Sequence, residues 1–406
     1  MSKAKKKTKW VTFRHRVIRN IAYVVLYPYF RMKCGIKIEK FKNQGKRRYL
    51  VLMNHQTGYD QFFVGMVLKG PVYYVASEDI FTNGWISRLL VWAVAPIPIK
   101  KQATDARAVL NCKRVAKEGG TIAIFPEGNR TYSGYTGYFN PAIVGLAKIL
   151  RLPIAFLRLE GGYGVMPRWS DTVRKGKSRV YVSSVMEPEE YLDMDNDALY
   201  AYIQEQLYID ESETGGEYTG KALAEYLERA MYVCPTCGLS TFESHKDTIS
   251  CKRCGLTAKY LPSKKLEGVG KEFPFNSVSS WYRYQCDFVN KLDLSTQNEA
   301  PMYEENVKIF SVVPHKTKTL LTEKGKIELY GNRIVFTIGE EKKVLDMDSI
   351  SVAAVLGKNK LNLYHGDDVY QVKGDKRFNA LKYVNICYRY KNLYSNEAEN
   401  GQFLGL

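Results

Sequence analysis

Arg48-Tyr-Leu-Val-Leu-Met53, followed at once by Asn54-His-Gln-Thr-Gly-Tyr-Asp60 and Gln61-Phe-Phe-Val-Gly-Met66, is the stretch that decides the fold. The first six residues are apolar and partly β-branched, which predicts a short buried strand. Asn54 to Gly58 predicts a strand-to-helix turn, and the apolar run from Asp60 predicts a helix. Positions five apart on a straight helix point about 140° away from each other. His55 and Asp60 therefore meet only if His55 sits in the turn and Asp60 reaches back to it. A carboxylate so placed fixes the imidazole tautomer and stabilises the imidazolium, as a base taking a proton from a hydroxyl requires.

A second strand, Thr121-Ile-Ala-Ile-Phe125, runs into Pro126-Glu-Gly-Asn-Arg-Thr131. Pro126 has no amide proton and ends the ladder. Gly128 permits a tight turn and close backbone approach by a ligand. Arg130 offers a planar fork that matches phosphate oxygens two at a time. Both motifs read as strand, sharp turn, acid and base, so two loops are expected to converge at one end of a sheet. Ligand sites of open α/β sheets lie there.

Taken together, the two motifs resemble those of the glycerophospholipid acyltransferases, the lysophosphatidic acid acyltransferase or PlsC-like family. Ala95-Pro-Ile-Pro-Ile-Lys-Lys101 occupies the place of a short motif that usually opens with Gly and closes with Arg, and Leu152-Pro-Ile-Ala155 matches an apolar, Pro-containing strand. Asn129 stands where Ser or Thr is common. The likeness covers about residues 33–210. It implies His55 as general base and Asp60 as its orienting carboxylate. Lys101 and Arg130 would bind the acceptor's phosphate, Lys101 through one contact at a time. Glu127 and Gly128 would shape the turn and contact glycerol, and Asn129 would add a polar contact.

The implied activity is that of a 1-acylglycerol-3-phosphate O-acyltransferase of phospholipid biosynthesis. A fatty acyl group would pass from acyl-CoA or acyl carrier protein, as co-substrate, to the hydroxyl of a lysophospholipid, giving phosphatidic acid. Two rivals stay open: another lysolipid or an aminolipid as acceptor, and a non-catalytic membrane lipid-binding adaptor.

The 406 residues carry a net charge of +18 and are 45% hydrophobic, enough for two or three packed domains. Charge is uneven. Residues 1–48 hold sixteen Lys or Arg against the single acid Glu39, a net +15. This basic arm precedes Ile21-Ala-Tyr-Val-Val-Leu-Tyr-Pro-Tyr-Phe30. Ten residues make about 15 Å of helix against a hydrocarbon core of about 30 Å, so the run does not span. A basic, Tyr-rich amphipathic segment over 1–32 predicts a helix lying on an anionic membrane, peripheral or monotopic, at its cytoplasmic face. The apolar block favours lipid over nucleic acid as partner. Residues 187–217 are acidic without a basic residue, which reads as a terminal helix over Asp195 to Leu207 followed by a solvated linker.

Cys234-Pro-Thr-Cys237 and Cys251-Lys-Arg-Cys254, each followed by Gly, resemble a zinc ribbon whose four thiolates hold one structural zinc. Cys34, Cys112, Cys286 and Cys387 lie scattered, as suits a reducing compartment. Beyond them, Lys326-Ile-Glu-Leu-Tyr330 and Arg333-Ile-Val-Phe-Thr-Ile338 alternate around Gly331-Asn332, a hairpin signal. Further short strands and a closing helix over Arg377 to Lys391 resemble a pleckstrin-homology-like barrel.

The expected fold class is thus α/β. An acyltransferase domain (33–212), a mixed sheet flanked by helices, follows the membrane-associating arm (1–32). A linker and helix (213–232), a zinc ribbon (233–262), a connector (263–300), a β-rich pleckstrin-homology-like barrel (301–395) and a tail (396–406) complete the chain.

Overall fold

The structure is a computed structural model that describes residues 9–77, 84–99, 106–313 and 317–394. Two compact units divide it. The first comprises residues up to 129 with 139–160 and 178–209, and the second comprises 130–138, 161–177 and 210 onward.

In the first unit the strands are β1 (Ile36–Ile38), β2 (Leu50–Met53), β3 (Val72–Ser77), β4 (Ile97–Ile99), β5 (Thr121–Ile124), β6 (Ile154–Glu160) and β7 (Ser178–Met186). They form one sheet in the order β1-β7-β6-β2-β5-β3-β4. Only the β6–β7 pair is antiparallel; the others are parallel, so the sheet is mixed. β2 lies at its middle and all four of its residues are buried. Burying each such Leu or Val contributes about 1.5–3 kcal/mol, so the strand is locked from both faces. The longer helices are α1 (Phe13–Cys34), α2 (Asp60–Val67), α3 (Gly84–Val94), α4 (Ala106–Lys117), α5 (Ala142–Leu150) and α6 (Asn196–Leu207), the last N-capped by Asp195. No helix among the described residues is long and apolar enough to cross a membrane.

α1 carries Pro28 within it and ends at Gly35 in the left-handed region, φ 58°. Its buried side includes His15, Phe30 and Cys34. Phe30 packs on Tyr59, Phe62 and Phe63, ring centroids 4.9 to 5.5 Å apart, and so docks α1 on the start of α2. Its other side is apolar and exposed: Phe13, Val17, Ile21, Val24, Val25 and Met32 fall within an arc of about 120°. On α3, Trp85, Leu89 and Trp92 stand exposed at i, i+4 and i+7. Ala95, where the resembling family has Gly, adopts φ 41°, a region costly for any residue with a Cβ. Its carbonyl accepts from Trp10 Nε1 at 2.8 Å.

The second unit opens with β8 (Val233–Cys234) and β9 (Gly238–Leu239), then a four-stranded antiparallel sheet of β10 (Phe242–His245), β11 (Thr248–Cys251), β12 (Thr257–Tyr260) and β13 (Leu266–Gly268). α7 (Val278–Lys291) follows. The remaining strands are β14 (Tyr303–Val313), β15 (Thr317–Leu329), β16 (Arg333–Ile338), β17 (Glu341–Asp346), β18 (Ile350–Leu356), β19 (Lys360–His365) and β20 (Asp368–Lys373), closed by α8 (Ala380–Tyr394). Their order is β17-β16-β15-β14-β20-β19-β18, all antiparallel. β17 and β18 are its two edges, so the expected barrel is an open half-barrel. One continuous apolar core runs from the cysteine-bearing strands through Trp281 to Phe336 and Tyr383.

Two expectations change here. The expected helix within 213–232 is a single 3-10 turn at Leu227–Arg229. The acidic stretch is not solvated throughout. Asp210 and Glu211 are buried, Asp210 accepting from Arg283 and Ser279, and Glu211 from Lys264 at 3.0 Å. Buried charges keep their charge only with such partners.

Candidate active site

β2 and β5 are parallel neighbours, with Leu52 opposite Ile124. Both run out at the same end of the sheet, so residues 54–60 and 125–128 emerge side by side. Asn54 is fixed first. Its side chain donates to Leu159 O at 3.0 Å and accepts from Leu159 N at 2.9 Å, tying the turn to β6. His55 then lies flat against Phe125, ring centroids 4.3 Å apart at 21°. Its amide donates to Glu127 Oε1 at 2.7 Å, and Glu127 is itself buried.

His55 Nδ1 is 2.8 Å from Asp60 Oδ2. Asp60, the first residue of α2, is wholly buried. Besides the imidazole it accepts from Gln56 N at 2.7 Å, from Thr57 N at 3.0 Å and from the Thr57 hydroxyl. A carboxylate ringed by donors is an acceptor, so Nδ1 carries the shared proton and Nε2 keeps its lone pair. The imidazole remains 18% exposed. It can therefore take a proton from a molecule outside the fold. Gly128, at φ 65°, closes the tight turn by donating from its amide to Phe125 O at 2.9 Å. No neighbour lies within 4 Å of where its Cβ would stand, so backbone conformation is what favours glycine there.

The structure thus brings His55, Asp60 and Glu127 together at the Gly128 turn. Asn129 ends the first segment of the first unit, and Arg130 opens a segment of the second, where its carbonyl accepts from Arg168 Nη1 at 2.9 Å. Lys101 lies outside the described residues. Glu127, expected to shape this turn and contact glycerol, holds the His55 amide through its Oε1. The parts played by Asn54, Thr57 and Phe125 were not foreseen, because each depends on a partner that only the folded turn supplies.

In the second unit, Cys234, Cys237, Cys251 and Cys254 place their sulfurs within 4.8 Å of one another. Two of these separations, Cys234–Cys254 and Cys237–Cys251, are 3.6 Å. Tetrahedral zinc with bonds of about 2.3 Å sets sulfur–sulfur edges near 3.8 Å, so the donor set fits that metal. Gly238 and Gly255 follow each pair at φ 74° and 75°.

Residues 35–157 match the family described as Acyltransferase. This region is an acyltransferase domain. The chain is 23% identical over 176 residues to the chloroplastic 1-acyl-sn-glycerol-3-phosphate acyltransferase LPAT1 of Arabidopsis thaliana, covering 42% of this chain and 48% of that protein. It is 19% identical over 178 residues to the 1-acyl-sn-glycerol-3-phosphate acyltransferase of Bacillus subtilis, covering 43% of this chain and 86% of that one. The crystal structure of the 1-acyl-sn-glycerophosphate (LPA) acyltransferase PlsC from Thermotoga maritima aligns with a TM-score of 0.37 at 20% identity, over 47% of this chain and 74% of its own. The chain thus spans about half the length of the chloroplast relative. The acyltransferase match, residues 35–157, includes His55, Asp60 and Glu127.

Proposed function

We propose that this protein transfers a fatty acyl group from acyl-CoA or acyl carrier protein to the free hydroxyl of 1-acyl-glycerol-3-phosphate, giving phosphatidic acid. The bond between His55 Nδ1 and the buried Asp60 carboxylate, at 2.8 Å, carries the reading. The acceptor hydroxyl gives its proton to His55 Nε2 as its oxygen attacks the thioester carbonyl. The carbon–sulfur bond then breaks, and the leaving thiolate takes the proton back from the imidazolium. Asp60 keeps the tautomer and steadies the charge, a contribution of about 10²–10⁴-fold for a well-placed base. Phe125 and Glu127 hold the ring and the turn against it. Arg130, two residues beyond the Gly128 turn, and Lys101 take the acceptor's phosphate. A screen of purified protein with radiolabelled acyl-CoA against lysophosphatidic acid, other lysophospholipids and an aminolipid tests this. Preferred turnover of lysophosphatidic acid is the expected result; no turnover of any acceptor would leave the adaptor reading in its place.

The chain meets its substrate at a bilayer surface, on the cytoplasmic side. The exposed stripe of α1 and the Trp85 face of α3 support this, because apolar surface of that extent is seldom left to water. Tryptophans suit the headgroup region, and the basic arm adds about 1 kcal/mol per Lys or Arg near anionic lipid. Replacing Ile21, Val24 and Trp85 together by serine or glutamine should release most of the chain from anionic vesicles in flotation. Unchanged flotation would show that another surface binds. The four-cysteine cluster holds a structural zinc that takes no part in the transfer, since four sulfurs leave no open position.

A further inference from the structure

From Arg130 to Tyr138 the chain belongs to the second unit, although it has only just left the Gly128 turn. It has little freedom there. Tyr132 and Ser133 are buried. The buried Thr131 hydroxyl donates to Tyr135 O at 2.8 Å and accepts from Gly134 N at 3.0 Å. The carbonyl of Arg130 itself accepts from Arg168 Nη1 at 2.9 Å.

Arg168 is buried, and two of its other nitrogens reach the half-barrel. Nε donates to Gly357 O at 3.0 Å and Nη2 to Val355 O at 2.9 Å. β18 is an edge of the seven-stranded sheet, where backbone carbonyls lack a second strand and need other donors. The guanidinium is planar and its donors point in fixed directions, so two of these carbonyls set where the third must stand. The turn between β18 and β19 makes a second link. Tyr132 Oη donates to Lys358 O at 2.6 Å, and the Tyr132 ring lies 4.3 Å from the Arg168 guanidinium. Lys358 Nζ donates to Ser170 O at 2.6 Å and to Asp171 Oδ1 at 2.9 Å. The buried Arg229 donates to Trp169 O at 2.8 Å and to Asp171 Oδ1 at 2.7 Å. Residues 168–171 are thus pinned along their whole length.

We propose that Arg168, held by the β18–β19 turn, fixes the Arg130 backbone for acyl transfer, so that the half-barrel sets how firmly the acceptor's phosphate is gripped. The inference rests on the reading of Arg130 as a ligand of that phosphate. Arg168 acts through Arg130 O and does not itself meet substrate. A guanidinium displaced by about 1 Å loses its hold on two oxygens at once, and a shift of that size costs about 10²-fold in a pre-organised site. The phosphate takes no part in the bond changes and is held alike before and during the transfer. Its loss therefore falls on KM more than on kcat.

The test compares Arg168→Lys and Tyr132→Phe in the full chain, with radiolabelled acyl-CoA and a short-chain lysophosphatidic acid in solution. Lysine keeps the charge but cannot hold three carbonyls at fixed angles. Phenylalanine keeps the ring beside Arg168 and removes only the bond to Lys358 O, so it decides the matter where the lysine variant does not fold. KM for lysophosphatidic acid should rise in both, by about tenfold or more in Arg168→Lys. KM for acyl-CoA and kcat should change by less than about threefold. A folding defect would instead lower kcat through the active fraction and leave both KM values where they were. In an Arg130→Ala chain, adding Arg168→Lys should raise the acceptor KM no further, because the two residues act in series. An unmoved acceptor KM beside normal turnover by the unaltered chain overturns this inference alone. So does a KM rise that persists undiminished in the Arg130→Ala chain. An unaltered chain that turns over no acceptor overturns the functional reading, and this inference with it.

Discussion

His55→Ala is expected to lower acyl transfer by about 10²–10⁴-fold while the chain stays folded. The imidazole lies at the mouth of the sheet, partly exposed, and its removal opens space toward solvent more than inside the core. The stability cost should stay near 1 kcal/mol. Asp60 makes the harsher test. Asp60→Ala would strip acceptors from Gln56 N, Thr57 N and the Thr57 hydroxyl, all buried, at about 1–3 kcal/mol for each group left unpaired. Its effect would mix misfolding with lost chemistry. Glu127→Gln separates the two, because a glutamine carbonyl can still accept from the His55 amide. It should keep most of the turnover if Glu127 acts as a brace, and lose it if the charge itself meets substrate. Turnover by His55→Ala equal to that of the unaltered chain would dispose of the proposed base.

Local pattern carried the centre of this site. The apolar run at 48–53, the turn residues after it and Asp60 at the head of an apolar helix led to β2, α2 and a five-residue spacing that closes only through a turn. The same holds for Thr121 to Gly128. What pattern could not show is pairing across long separations. β1 joins β7 through Ile36 and Ser178, and a three-residue strand has no period to read. Residues 130–138 belong to the second unit although they lie within the acyltransferase match, and 161–177, just beyond it, belong there too. Asp210 and Glu211 looked like members of a solvated acidic run because Lys264 and Arg283, which neutralise them, come more than fifty residues later. β14 carries no such local signal. Its polar side, with Glu304, Asn306 and Lys308, faces outward, and β15 starts with exposed Thr317, Lys318 and Thr319, so neither shows clean alternation.

Loss of the metal, or Cys251→Ser, is expected to unfold much of the second unit. Cys234 and Cys251 are buried, and the core they belong to continues through Phe242, Trp281 and Tyr303 into the half-barrel. Cys234 ends β8, which has two residues and pairs only with the two of β9, while Cys251 ends β11 inside the four-stranded sheet. A zinc bound by four thiolates supplies about 10–16 kcal/mol in small zinc peptides, and that binding energy becomes folding energy. Because α7 sets Trp281 against Phe242, ring centroids 5.2 Å apart, the ribbon and the half-barrel should lose structure together. Metal analysis should find one zinc per chain. A strong chelator should lower the unfolding midpoint followed through the buried Trp169 and Trp281, and added zinc should restore it. Serine at position 251 should abolish both the metal and the restoration. A chain purified with far less than one zinc, yet with an unfolding midpoint indifferent to chelator and to Cys251→Ser, would mean that apolar packing alone holds these strands.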